Sequence, residues 1–123
     1  MYRLVLVAGA ALGALTACDQ TDNDRPQTLT YITEAILQPY CSQHVCHSSY
    51  AKTSGYAFDT VSAARASLSQ AGMVNPGEPE TSLLYTVLIR GVERMPYDTP
   101  LADKDVALIK EWITNGADGL EAP

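Results

Sequence analysis

Large aromatic side chains are nearly missing: beside seven tyrosines, the 123-residue chain has one tryptophan and one phenylalanine. A small domain with so little aromatic bulk has a thin supply of core, and apolar area from a bound group would add what no side chain provides. Basic residues are scarce as well, 8 Lys and Arg against 14 Asp and Glu, for a formal net charge of −6. That balance excludes the basic surface a nucleic-acid partner requires. No nucleophile–base pair, phosphate-binding loop or credibly placed pair of carboxylates is present, so an enzyme is not expected. Only three cysteines and two histidines occur.

The apolar run near the start is short. Met1-Tyr2-Arg3 is a basic opening, Leu4 to Ala14 is apolar, and Leu15-Thr16-Ala17-Cys18 closes the segment. About fourteen apolar residues fall below the ~20 of a spanning helix, which favours an export signal over an uncleaved membrane helix. The closing tetrapeptide resembles the lipobox of bacterial lipoproteins, in which Cys18 becomes the lipidated first residue. The expected organisation is a signal peptide over residues 1–17, a polar tether over 18–27 and one domain over 28–123. The protein is then exported and lipid-anchored to a membrane facing the periplasm, inner or outer undecided. Loss of residues 1–17 removes Arg3, leaving seven basic against fourteen acidic side chains and a net charge of −7. Such a surface suits either encounter with a basic patch on a partner protein or simple solubility.

With Cys18 assigned to lipid, Cys41 and Cys46 remain as a pair, in Cys41-Ser42-Gln43-His44-Val45-Cys46-His47. A histidine directly after the second of two cysteines is the arrangement that covalent haem attachment requires. Two sulfurs add to the vinyl groups and the adjacent imidazole supplies a nitrogen to the iron. The common spacing has two residues between the cysteines; here there are four. On an ideal helix, positions five apart point about 140° from each other, so Ser42 to Val45 must bulge outward for both sulfurs to reach one porphyrin. The same seven residues also fit a local Cys41–Cys46 disulfide with His47 in an ordinary loop.

The remaining pattern is helical. Thr28 or Thr30 can cap a first helix with Ile32, Ala35 and Ile36 on one face, ending near Gln38 because Pro39 follows. Ser48 to Gly55 reads as a loop at one haem edge, and Tyr56-Ala57-Phe58 as a short extended piece. Asp59 is the expected cap of a helix through Val61, Ala64, Leu68 and Ala71, with Gly72 left-handed at its end. After an Asn75-Pro76-Gly77 turn, Pro79 is expected to start a helix placing Leu83, Leu84, Val87 and Leu88 in the core and ending near Gly91. The last helix carries Val106, Ile109, Trp112 and Ile113 as an apolar stripe with Leu108 on its flank. Asp103 or Asp105 lies in its first turn and Asn115-Gly116 stops it.

Arg94-Met95-Pro96 is the second chemical landmark. A thioether is a soft ligand that favours ferrous haem opposite a histidine, and the prolines at 96 and 100 stiffen its loop. Met73, also near a turn, is the competing candidate, and either methionine could simply fill the core.

In order along the chain, Cys41, Cys46-His47, Gly55-Tyr56-Ala57-Phe58, Ala63-Ala64-Arg65, Val74-Asn75-Pro76-Gly77-Glu78-Pro79-Glu80, Arg94-Met95-Pro96 and Leu108 to Ala117 together resemble the planctomycete-type cytochrome c domain. The resemblance implies a small all-α cytochrome c-like fold of about four helices with long loops. It also implies haem c bound through Cys41 and Cys46, His47 as proximal ligand to the iron and Met95 as distal ligand. The chain departs from that pattern in its cysteine spacing and in having Ala102 where a Ser or Thr cap is expected.

Three function classes stay open at this point. The first is a membrane-anchored c-type cytochrome transferring one electron to or from a partner protein. The second is a haemless helical binding or structural lipoprotein closed by a Cys41–Cys46 disulfide. The third is a copper-binding lipoprotein drawing on Cys41, Cys46, His44, His47 and Met95.

Overall fold

The computed structural model describes residues 23–121, so the expected signal segment, Cys18 and the first part of the expected tether lie outside the described residues. Among the described residues there are four helices and no strand, an all-α architecture. No helix there is long and apolar enough to cross a membrane.

Helix α1 is built of three consecutive pieces: α-helical Leu29–Ile32, π-helical Thr33–Leu37 and α-helical Gln38–Cys41. Thr28 caps it, its hydroxyl accepting from the Tyr31 amide at 3.2 Å. The helix does not stop at Gln38 as expected but carries Pro39 inside it. The reason is the widened turn, in which the Gln38 amide reaches the Thr33 carbonyl. This wider ladder relieves the clash a proline ring makes with the carbonyl four residues earlier. The continuation delivers Cys41 as the last helical residue.

Helix α2, Val61–Leu68, is capped by Thr60, which accepts from the Ala63 amide at 3.0 Å. Asp59, the expected cap, is turned the other way: its carboxylate accepts from the Ser49 amide at 2.8 Å and the Ser49 hydroxyl at 2.7 Å. It fastens the 48–59 loop instead. Tyr56 is extended as expected, though no strand forms. Gly72 is left-handed at φ +80° beyond the helix end.

Pro79 does open a helical turn, but only the short 3₁₀ turn Pro79–Thr81. Ser82 interrupts it. The Ser82 hydroxyl is buried against the 75–78 turn, accepting from the Asn75 amide at 2.8 Å and donating to the Glu78 carbonyl at 2.9 Å. Helix α3, Leu83–Ile89, starts afresh after it. That new start rotates the helix so that Leu84, Tyr85 and Leu88 are buried while Leu83 faces solvent.

Helix α4, Asp103–Thr114, buries Leu108, Ile109, Trp112 and Ile113, while Val106 is half-buried. Ala102 stands at its N-cap with no side-chain bond. At the other end the Ala117 amide returns to the Trp112 carbonyl at 2.8 Å and Gly116 takes φ +101°, a left-handed stop. The Asp118 carbonyl then accepts from both the Trp112 indole, at 3.0 Å, and the Leu29 amide, at 2.9 Å. The sole tryptophan thus ties the C-terminal segment to the start of α1.

Residues 23–27, expected to hang free as tether, run along α4. Arg25 pairs with Asp105 at 2.7 Å, Asn23 donates to the Lys104 carbonyl, and Gln27 bonds Glu111 and Asn115. Polar composition alone had suggested a linker; the acidic and amide groups of α4 provide its partners.

Candidate functional site

The Cys41–His47 segment forms a closed bulge. Gln43, His44 and Val45 are exposed, the Cys46 amide turns back to the Gln43 carbonyl at 2.7 Å, and the His47 amide donates to the Cys41 carbonyl at 3.1 Å. The residues that lengthen the spacing are therefore pushed outward. The chain returns to the end of α1 at Cys46 and His47.

Both cysteines are free thiols and half-buried. Burial first, and then the charge of Cys46, push the Cys41 thiol up to about 12. Electrostatically the two sulfurs are neighbours.

His47 is oriented by its own loop. Its Nδ1 lies 2.9 Å from the Thr53 carbonyl oxygen. A carbonyl only accepts, so Nδ1 carries the proton and Nε2 keeps its lone pair for a metal. The His47 ring packs at 5.3 Å from the Phe58 ring and 6.1 Å from that of Tyr56. The Phe58 amide also donates to the His47 carbonyl at 2.7 Å. Thr53 is held in turn: its amide reaches the Cys46 carbonyl and its hydroxyl the Val45 carbonyl. His44, by contrast, faces solvent and stacks on Tyr50 at 4.5 Å.

The two methionines separate clearly. Met73 is buried in the core, whereas Met95 is half-buried in the loop after α3, its amide fixed to the Val87 carbonyl at 2.9 Å. The Met95 loop is braced further by Arg90, whose Nε donates to the Glu93 carbonyl at 2.7 Å.

An open cleft of about 410 Å³ separates Tyr40 and Gln43 on one side from the 96–102 loop and Asp105 on the other. Its walls adjoin both landmarks through Tyr40 next to Cys41 and Pro96 next to Met95, but neither cysteine, His47 nor Met95 lines it. Tyr40, Val45, Val92 and Tyr97 are exposed apolar side chains in these same two segments.

The donor set fits haem in kind: two thiols, an imidazole with one nitrogen committed to the protein, and a thioether on a braced loop. It fits a bare metal ion poorly. Among the described residues no group of three or more His, Cys, Asp or Glu is close enough to hold one, and a copper site needs several such donors together.

Residues 44–97 match the planctomycete cytochrome C family model. The planctomycete cytochrome C match takes in Cys46, His47, Arg94 and Met95 and begins three residues after Cys41. The first thiol, at the end of the π-widened helix, lies outside it. No curated protein and no solved structure matches the chain.

Sequence reasoning missed two groups that matter here, the Thr53 carbonyl and the Arg94 guanidinium. A backbone carbonyl has no residue signature, so nothing in the sequence could have picked out the first. The second stood in the Arg94-Met95-Pro96 landmark without a role.

Proposed function

We propose that the protein is a membrane-anchored c-type cytochrome carrying one covalent haem and passing single electrons to and from a partner protein. The observation that carries this reading is the bulge closed by the His47 amide on the Cys41 carbonyl, with the His47 Nδ1 proton committed to Thr53. Together they support the reading against the objection from spacing.

Haem, when bound, supplies a one-electron couple. The chain's residues do the rest. Cys41 and Cys46 would hold the macrocycle through thioethers. His47 would offer Nε2 in a tautomer fixed by its bond to Thr53. Met95 offers a soft sulfur from the opposite segment, favouring the ferrous state. Phe58 and Tyr56 pack against the imidazole and limit water around it. The acidic surface suits a partner with a basic patch. Lipid on Cys18 keeps the domain beside the membrane facing the periplasm.

Expression in a bacterial host with haem-attachment machinery tests the reading. A red protein whose pigment survives acid–acetone extraction is the expected product. Colourless protein with Cys41 bonded to Cys46 would replace the electron carrier with a haemless helical module.

A further inference from the structure

Four arginines lie among the described residues, and three of them have Nε in a hydrogen bond. Arg25 donates to Asn23 Oδ1 at 2.8 Å, Arg65 to the Gly119 carbonyl at 3.0 Å and Arg90 to the Glu93 carbonyl at 2.7 Å. Arg94 is the exception: its Nε is buried and has no partner. Nor does its guanidinium pair with any carboxylate, since the ion pairs present are Arg25–Asp105 and Lys110–Glu80 among the described residues. Arg94 as a whole is half-buried, but a buried N–H donor left without an acceptor is unfavourable, and native chains normally satisfy such a donor. This one sits next to Met95, in a protein whose own charge balance is strongly acidic.

We infer that Arg94 is the counter-charge for a propionate carboxylate of the bound haem and raises the haem's reduction potential through that pair. The inference rests on the haem reading above and adds to it a residue and a function. A planar guanidinium offers parallel donors to a carboxylate, a geometry an ammonium cannot reproduce. Haem brings two carboxylates into a domain already rich in negative charge. Left unbalanced, that charge stabilises ferric over ferrous iron and lowers the potential; Arg94 offsets it. The arginine also holds the propionate ionised, so the potential stays flat with pH.

The test compares haem-loaded full-length wild type with R94Q and R94K, by redox titration from about pH 5 to about pH 8, a span that covers a carboxyl group whose pKa is no longer held down. R94Q is expected to keep its haem and its Met95–iron band, to show a lower midpoint, and to acquire a pH-dependent potential at the acid end. R94K is expected to fall between R94Q and wild type. A haem-loaded R94Q with the wild-type midpoint and pH profile overturns the inference while leaving the electron carrier intact. Should R94Q not load haem, R94K decides: a midpoint below wild type supports the pairing and an unchanged one overturns it. Wild type without haem removes the electron carrier and this inference together.

Discussion

The amide of His47 donates to the carbonyl of Cys41 across 3.1 Å, closing the five-residue loop that separates the two. In the cytochrome proposed above, that bond is what would make a four-residue spacing workable. The helix brings Cys41 to the rim, the bulge sends Gln43 to Val45 into solvent, and the chain re-enters with a thiol and an imidazole side by side.

Met95 and Met73 are expected to behave oppositely on truncation. M95A should abolish the weak far-red band of a ferric methionine-ligated haem and lower the potential, with little loss of fold. M73A, at a core position 5 % exposed, should cost about 2–5 kcal/mol by leaving a cavity and should keep the band. Visible spectra and chemical denaturation of the two variants separate a ligand from a core filler.

The Asp59–Ser49 clamp makes the loop beneath His47 acid-sensitive. The Ser49 amide and hydroxyl, in that order, hold the Asp59 carboxyl below its ordinary range. A lowered native pKa means stability that is complete above the unfolded value of about 3.9 and is lost as pH falls through the native value. Thermal unfolding followed below about pH 4 should show wild type losing a contribution that D59N lacks at every pH. Equal pH profiles would refute the clamp.

Cys41 should be a slow thiol in folded, haem-free protein. With its pKa pushed up to about 12, almost none of it is thiolate at pH 8. Iodoacetamide under those conditions should leave Cys41 unmodified by peptide mass spectrometry and should label it rapidly once the chain is unfolded. Ready labelling of the native chain would contradict its burial.

The Arg25–Asp105 pair pins the N-terminal segment to α4. Asp105 is buried and Arg25 partly exposed, so R25A should destabilise the domain by about 1–3 kcal/mol by leaving a hydrogen-bonded carboxylate without its partner. The same change should release residues 23–27 to proteolysis. An unchanged denaturation midpoint would mean the segment is attached by its other bonds.

The helices were legible where apolar period and stop signals agree, as in α4 with its Leu108 to Ile113 face and the Asn115-Gly116 stop. They were misread where one side chain had two possible employers. Asp59 and Thr60 both make good caps, and Ser49 drew the first away. Ser82 cut what looked like a single helix from Pro79, because its hydroxyl satisfies the Asn75 amide across the turn that precedes it. Pro39 appeared to be a terminator only on the assumption of α geometry; the π turn at Thr33–Leu37 cannot be read from the sequence. At the site, the residue types were visible but their organisation was not. Which atom orients His47, and that the Arg94 Nε is buried without a partner, depend on backbone positions that no pattern encodes.

The most direct measurement is the intact mass of the mature protein from a host that attaches haem, with peptide mapping of residues 41–47. The expected result is a gain of one haem carried by Cys41 and Cys46 together. A mass two hydrogens below that of the dithiol chain, with those sulfurs joined to each other and no pigment, would contradict it.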